Sequence, residues 1–431
     1  MRILIHPSSF HCLNLGDVAM MQVTVRRFRR FWPDAEIHVL NDSPELLELY
    51  CPGAKPLNSA GQNYYYSTAA YLTRLGKSLS SPAFSEMDVT WRHQWPELAE
   101  KIAAARNGEA AQSAIRRFLE LVRSCDLVLA SGAGQITTSF GGAATPLLNT
   151  LELAQRHGVT TAILGQGIGP IDDPYLRARA ATVLPKVDLI CVRETITGPP
   201  LLDALQVPRE HVIVTGDDAI ETVYANRQDK LGNGIGVNLR VSWYSDIPGD
   251  LTETLRHPLQ EAAAAVGAPL ISIPISRHPE EDDSGICDRL FKGYPMIAEP
   301  ANDLRLVEGM IREIGRCRVM LTTSYHGGVF ALAQGIPVVA WLKSKYFAAK
   351  LCGLANQFGV GCEVVTLDEA DWESRLKAAI LAAWNSAEEV RPQLLEAASS
   401  QLAASKAAYE KLRERFASPV PAETVRSEVH S

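Results

Sequence analysis

Short apolar runs alternate with longer stretches of helical spacing along most of the chain. Residues 2–6, 36–40, 126–135, 161–164, 188–192 and 211–214 read as strands. Between the first two, Val18, Met21, Val25, Phe28 and Trp32 fall at i, i+3, i+7, i+10 and i+14, the apolar stripe of one helix. Arg26, Arg27, Arg29 and Arg30 lie largely off that stripe and read as a solvated face. Asp17 stands where a helix cap is expected. Residues 58–96 carry aromatics without a clear repeat and read as an insertion able to reach over a cleft. A helix over 97–123 returns the chain to the sheet. The polar stretch 224–233 marks a boundary, after which the strand pattern restarts at 234–240, 270–275 and 319–321, with one more strand and helix over 363–384.

This alternation predicts an α/β protein of two Rossmann-like domains with mainly parallel sheets, facing each other across a cleft. The domains are residues 1–225, including the insertion, and 234–385. Residues 386–431 form a helical segment and a polar tail.

Strand ends are where chemistry is expected, because ligands of open α/β sheets bind outside the carboxyl ends of the strands. Three such ends run into glycine turns or charged loops: Ser131-Gly-Ala-Gly134, Gly165-Gln-Gly-Ile-Gly-Pro170 and Arg193-Glu194. Gly132 and Gly134 let the backbone approach a ligand closely, and Arg193 suits an anion or a surface ion pair. In the second half, Leu321-Thr-Thr-Ser-Tyr-His-Gly-Gly328 places Ser324 and His326 between a buried strand and the next helix. The free N–H groups and dipole of that helix start favour an anion. Aromatic rings stack on sugar faces, so Tyr65 and Trp243 are candidate acceptor contacts, with packing the equal alternative. The acids of 276–283 read as a helix start or, less directly, as catalytic groups.

Composition narrows the function. The 431 residues carry 46% hydrophobic and 21% charged side chains, as in a soluble globular protein, and a formal charge of −7 speaks against nucleic-acid binding. No apolar window is long enough to span a membrane, so membrane contact is at most peripheral. The amino terminus is too quickly polar for a secretory signal. Eight cysteines without a CxxC pair fit a reducing cytoplasm, and no cluster has metal-ligand spacing.

Taken in order, Asn14-Leu-Gly-Asp17, Ser131-Gly-Ala-Gly134, Gly165-Gln-Gly-Ile-Gly-Pro170 with Arg193-Glu194, and His326-Gly-Gly with Gly335-Ile-Pro-Val-Val339 resemble the polysaccharide pyruvyl transferase family. The resemblance implies a glycosyltransferase-B-like fold and transfer of a pyruvyl group from phosphoenolpyruvate to a saccharide, lipid-linked or free, in exopolysaccharide synthesis, without a cofactor. It makes His326 the general acid, Arg193 a donor contact, and Gly132 and Gly134 a turn in the cleft. Asp17 is the candidate base. Family members commonly carry Arg-Leu before the histidine; this chain has Ser324-Tyr325, so Arg240, Arg277 or Lys343 must supply the missing charge. The whole reading requires the His326 imidazole to project into a groove between the two halves, opposite the Arg193 guanidinium. Alternatives are a glycosyltransferase with a nucleotide-sugar donor and a non-catalytic carbohydrate-binding protein.

Overall fold

The computed structural model describes residues 1–66, 82–240, 251–278, 283–343, 345–367 and 369–417. The first sheet holds β1 (Arg2–His6), β2 (Glu36–Leu40), β3 (Lys55–Leu57), β4 (Leu127–Ile136), β5 (Thr160–Ile168), β6 (Leu189–Val192) and β7 (Val212–Val214). The second holds β8 (Gly234–Asn238), β9 (Leu270–Ser272), β10 (Ile297–Ala298), β11 (Cys317–Thr322), β12 (Val338–Leu342) and β13 (Cys362–Thr366). Their orders are β3-β2-β1-β4-β5-β6-β7 and β10-β9-β8-β11-β12-β13, with neighbouring strands parallel. Each order reverses once, between β1 and β4 and between β8 and β11, which opens a crevice at the carboxyl edge.

The expected α/β architecture is therefore present twice. The two short outer strands β3 and β10 are not among those expected, since three and two residues are too few to show as apolar runs. Pro56 is tolerated in β3 because an edge strand can spare a backbone donor.

The first helix (Leu15–Phe31) starts at Asn14, whose side chain accepts from the backbone N–H groups of Gly16 and Asp17. Asn14 is thus the cap, and Asp17 lies one turn in with its carboxylate uncommitted to capping. The stripe Val18, Met21, Val25 and Phe28 is buried as expected, but Ala19, Met20 and Val23 are buried too. The reason is that this helix is wedged between the domains. One apolar core runs from Ile3 and Leu129 of the first sheet through the helix to Met310, Val329 and Leu354 of the second domain. An antiparallel bridge between Asn14 and Ser276 seals the seam, with Leu15 N–H donating to Ile275 O at 3.1 Å and Arg277 N–H to Leu13 O at 2.8 Å.

The expected single helix over 97–123 is two, Pro96–Asn107 and Glu109–Ser124, broken by Gly108 at φ 84°. That backbone conformation suits glycine alone among the common residues. In the insertion, residues 67–81 lie outside the described residues. Tyr65 is fully buried; its hydroxyl donates to Arg92 O at 2.7 Å, and Arg92 Nη1 donates back to Tyr65 O. It packs the first domain's core and presents no face to an acceptor.

Trp372–Ala417 is a single helix of 46 residues that leaves the second domain and crosses back onto the first. There Ser405 Oγ and Tyr409 OH donate to the two oxygens of Asp218, at 2.6 and 2.8 Å. Arg27 joins them: it lies 3.5 Å from Asp218, bonds Glu221 at 2.8 Å and Ser405 at 2.7 Å, and stacks over the Tyr409 ring. Arg27 is therefore buried, not part of a solvated face. Burial pushes the Asp218 carboxyl above its ordinary value, and the Arg27 charge opposes that shift.

No helix among the described residues is long and apolar enough to cross a membrane. Removing one partner of a buried ion pair strands the other, so Arg27→Met should cost about 3–5 kcal/mol. Urea unfolding followed by circular dichroism measures it; a loss under about 1 kcal/mol contradicts the strapping role assigned to this network.

Candidate active site

Strand β11 ends at Thr322, and its hydroxyl organises the turn that follows. Thr322 Oγ1 accepts from Ser324 N–H at 2.9 Å and lies 3.1 Å from Asn238 Oδ1 at the end of β8. Ser324 is buried and extended, precedes the helix Tyr325–Leu332, and makes no side-chain cap bond. A Cβ on Gly327 would stand 2.5 Å from Thr322 Oγ1, so the glycine after His326 is required for the helix to sit this close to the strand.

His326, second residue of that helix, points across the seam at the amino end of the first helix. Its Nδ1 lies 3.8 Å from Asp17 Oδ1 and its Nε2 3.7 Å from Asp217 Oδ2 and 3.4 Å from Met20 Sδ. His326 is only 6% exposed, so it faces the first domain across a closed seam and not in the open groove expected. The shared core has drawn the domains together until the ring rests on Gly16, where a Cβ would meet His326 Cγ at 2.0 Å.

Arg193 comes from the other half, directly after β6. Its guanidinium passes under two glycines that lie within strands β4 and β5, which run on past the turns expected there and only shift register: a Cβ on Gly167 would meet Nε at 2.8 Å, and one on Gly134 would meet Nη2 at 2.8 Å. It stacks 3.7 Å from the Tyr325 ring centroid and its Nη1 is 3.6 Å from Asp217 Oδ2. Asp217 Oδ2 therefore lies between imidazole and guanidinium, bonded to neither, while Oδ1 accepts from Ala219 N–H at 2.9 Å. Arg193 Nη1 likewise makes no hydrogen bond. Buried polar atoms are otherwise bonded, so a carboxylate oxygen left unbonded between two charged groups from different domains marks this as the candidate site.

Glu194, by contrast, is structural: its carboxylate accepts from the N–H groups of Ile196, Thr197 and Gly198 at the next helix start. Gly132 serves packing, because a Cβ there would collide with Met20 at 2.0 Å.

Of the three proposed replacements for a guanidinium at position 324, Arg240 is at the site. It is buried, bonded through its N–H to Thr323 Oγ1 at 2.7 Å, with Nη2 3.6 Å from Asp283. Arg277 is exposed on the outer seam beside Tyr50, and Lys343 is exposed. Asp283 accepts from Asn238 and from the N–H groups of Ile275 and Ser276, so this acid is a structural anchor. Trp243 lies outside the described residues. Two charged groups at the site carry no motif: Asp217, visible only as an acid just past a strand, and Lys350, a mid-helix lysine. Among the described residues, no group of three or more His, Cys, Asp and Glu could hold a metal ion.

The closeness of Gly16 to the ring is itself testable. Gly16→Ala forces either His326 or the first helix to shift and should cost about 1–3 kcal/mol, whereas Gly141→Ala, with open space around it, should be neutral or stabilising. Thermal unfolding of the two variants decides it; equal behaviour contradicts the contact.

Among curated proteins, none matches the chain in sequence. Solved structures match in fold. The UDP-GlcNAc 2-epimerase from Neisseria meningitidis bound to UDP-GlcNAc has a TM-score of 0.56 at 13% identity, covering 96% of this chain and 100% of that one. MnaA of S. aureus, solved with UDP, has a TM-score of 0.55 at 12% identity, covering 96% and 97%. A calicheamicin glycosyltransferase has a TM-score of 0.50 at 14% identity, covering 97% and 99%. At such identities these likenesses establish the glycosyltransferase-B-like fold of two Rossmann-like domains and nothing of the chemistry. The family signal is separate: the sequence model of polysaccharide pyruvyl transferase matches residues 14–342. That span begins at the Asn14 cap and ends with β12, enclosing His326, Arg193, Asp17 and Asp217, and the chain is accordingly a transferase that belongs to the polysaccharide pyruvyl transferase family.

Proposed function

We propose that this chain transfers a pyruvyl group from phosphoenolpyruvate to a saccharide, free or lipid-linked, closing a ketal across two hydroxyls. The observation that carries the reading is the His326–Asp217–Arg193 line: a proton carrier and an anion-binding guanidinium, from opposite domains, sharing one carboxylate.

The chemistry asks for these groups. His326 gives a proton to the methylene carbon of the donor, which becomes a methyl group and leaves positive charge on the carbon bearing the phosphate ester. One acceptor hydroxyl adds to that carbon and releases its proton to a carboxylate, for which Asp17, at 3.8 Å from the ring, is the candidate base. Phosphate departs with the electrons of its C–O bond. The second hydroxyl then closes the ketal, and its proton restores the acid. Asp217 acts as a positioning residue, fixing the ring and the guanidinium in register. Arg193 and Arg240 neutralise the donor's charges, and the buried setting strengthens every such contact. Gly134, Ser324 and the N–H groups of the His326 helix complete the donor side.

Free cysteines throughout the chain agree with work on the cytoplasmic face, in exopolysaccharide assembly. A nucleotide-sugar glycosyltransferase is the competing reading, favoured by the neutral Ser324 beside the histidine.

Labelled phosphoenolpyruvate and nucleotide sugars separate the two. Release of inorganic phosphate coupled to acceptor labelling supports pyruvyl transfer, while release of nucleotide alone overturns it. His326→Gln, which keeps a polar side chain but no titrating proton, should lower turnover by roughly 100- to 10,000-fold; a change of less than about tenfold removes His326 as the acid.

A further inference from the structure

Gln135 and Gln166 lie on neighbouring strands at the carboxyl edge of the first sheet, in β4 and β5. Each adjoins a glycine against which Arg193 packs: Gly134 precedes Gln135, and Gly167 follows Gln166. Arg193 N–H also donates to Gln166 O at 3.2 Å. Both glutamines stand at irregular pairing. The β4–β5 register shifts between Ala133 and Ile136, and the β5–β6 register shifts between Ile163 and Gln166. Bulges of this kind re-aim side chains and recur beside active sites.

Both side chains are buried, at 4% and 0% exposure, yet neither the nitrogen nor the oxygen of either amide has a hydrogen-bond partner. Glutamine is mostly a surface residue, and a buried amide without partners destabilises the fold. Gln62 and Gln334, buried as deeply, differ in this respect. Gln62 Nε2 donates to Thr150 Oγ1 at 2.8 Å, and Gln334 Nε2 donates to Ile311 O at 3.0 Å. Among the described residues, Gln135 and Gln166 are the only glutamines with both amide atoms buried and unbonded.

The chemistry of the pair selects its ligand. Two amides offer N–H donors and carbonyl acceptors together, and carry no charge. An anion would engage the N–H groups and leave the carbonyls orphaned, and a cation would do the reverse. A hydroxyl group both donates and accepts, so a neutral ligand with several hydroxyls answers both ends of each amide. Phosphoenolpyruvate offers a phosphate and a carboxylate but no alcohol, whereas a saccharide presents a run of hydroxyls.

We propose that Gln135 and Gln166 bind hydroxyl groups of the acceptor saccharide and thereby set which sugars the protein takes. This rests on the reading that the chain acts on a saccharide, and it holds for either donor.

The test uses the full chain with Gln135→Met and Gln166→Met, which keep the length of the side chain and remove the amide. The probes are the methyl pyranosides of glucose, galactose and mannose with their monodeoxy analogues. At least one glycoside should raise the Tm of the unaltered protein, and each variant should bind it roughly 10- to 100-fold more weakly. A deoxy analogue that binds the unaltered protein about tenfold worse than its parent should differ from it by under about threefold in one variant, a coupling that altered packing does not produce. Without sugar, both variants should melt at or above the unaltered protein, because an unbonded amide has left the interior. Lower melting of both variants without sugar, undiminished glycoside binding, or no glycoside response in the unaltered protein overturns the proposal. Phosphate release from phosphoenolpyruvate is scored separately: its absence beside glycoside binding removes the donor reading and leaves the role of the two amides standing.

Discussion

The imidazole of His326 rests against the bare Cα of Gly16, at the seam where two Rossmann-like units share one apolar core. It holds because the first helix is buried on both sides, against its own sheet and against the second domain's helices. Burial of apolar surface at roughly 25 cal/mol per Å² supplies the force, and the Asn14–Ser276 bridge fixes the register. The 46-residue terminal helix then crosses from the second domain and bonds Asp218, one residue from Asp217. Packing therefore positions His326 from both sides: the helix start through Gly16, and the Asp217 carboxylate behind the ring through the Arg27–Asp218–Tyr409 network.

From that constraint the electrostatics of the site follow. Two sheets whose order reverses at β1/β4 and β8/β11 direct their crevices at one seam, so groups far apart in sequence meet there. Asp217 stands between a ring from one domain and a guanidinium from the other, at distances of 3.7 and 3.6 Å. Its Oδ2 has ion-pair partners and no hydrogen bond, unlike the carboxylates of Glu194 and Asp283, which backbone N–H groups lock into the fold.

Much of this was legible in the residues. Short apolar runs mark the major strands and the i, i+3, i+7 spacing marks the first helix, and the carboxyl ends of the strands carry His326 and Arg193. Legibility ended wherever the outcome depended on what lies opposite. The Asn63–Ser67 aromatics do not say whether they face sugar or core, and Tyr65 faces core. Arg27 sits off the apolar stripe of its helix, yet the terminal helix covers it, a contact 378 residues away in the chain. Asn14 and Asp17 are both good caps, and only the backbone at Asn14 decides between them. Lys350 has no motif at all, and only the fold brings it beside Gly134 and Phe140.

Pyruvyl transfer as proposed turns on a proton passing from the enzyme to the methylene carbon of the donor. Transfer run in deuterium oxide, followed by mass spectrometry of the purified ketal, reads that step directly. One deuterium in the methyl group of each transferred pyruvyl unit is the predicted result. A ketal whose methyl group holds no hydrogen from solvent, or an acceptor modified without any new methyl group, would contradict it.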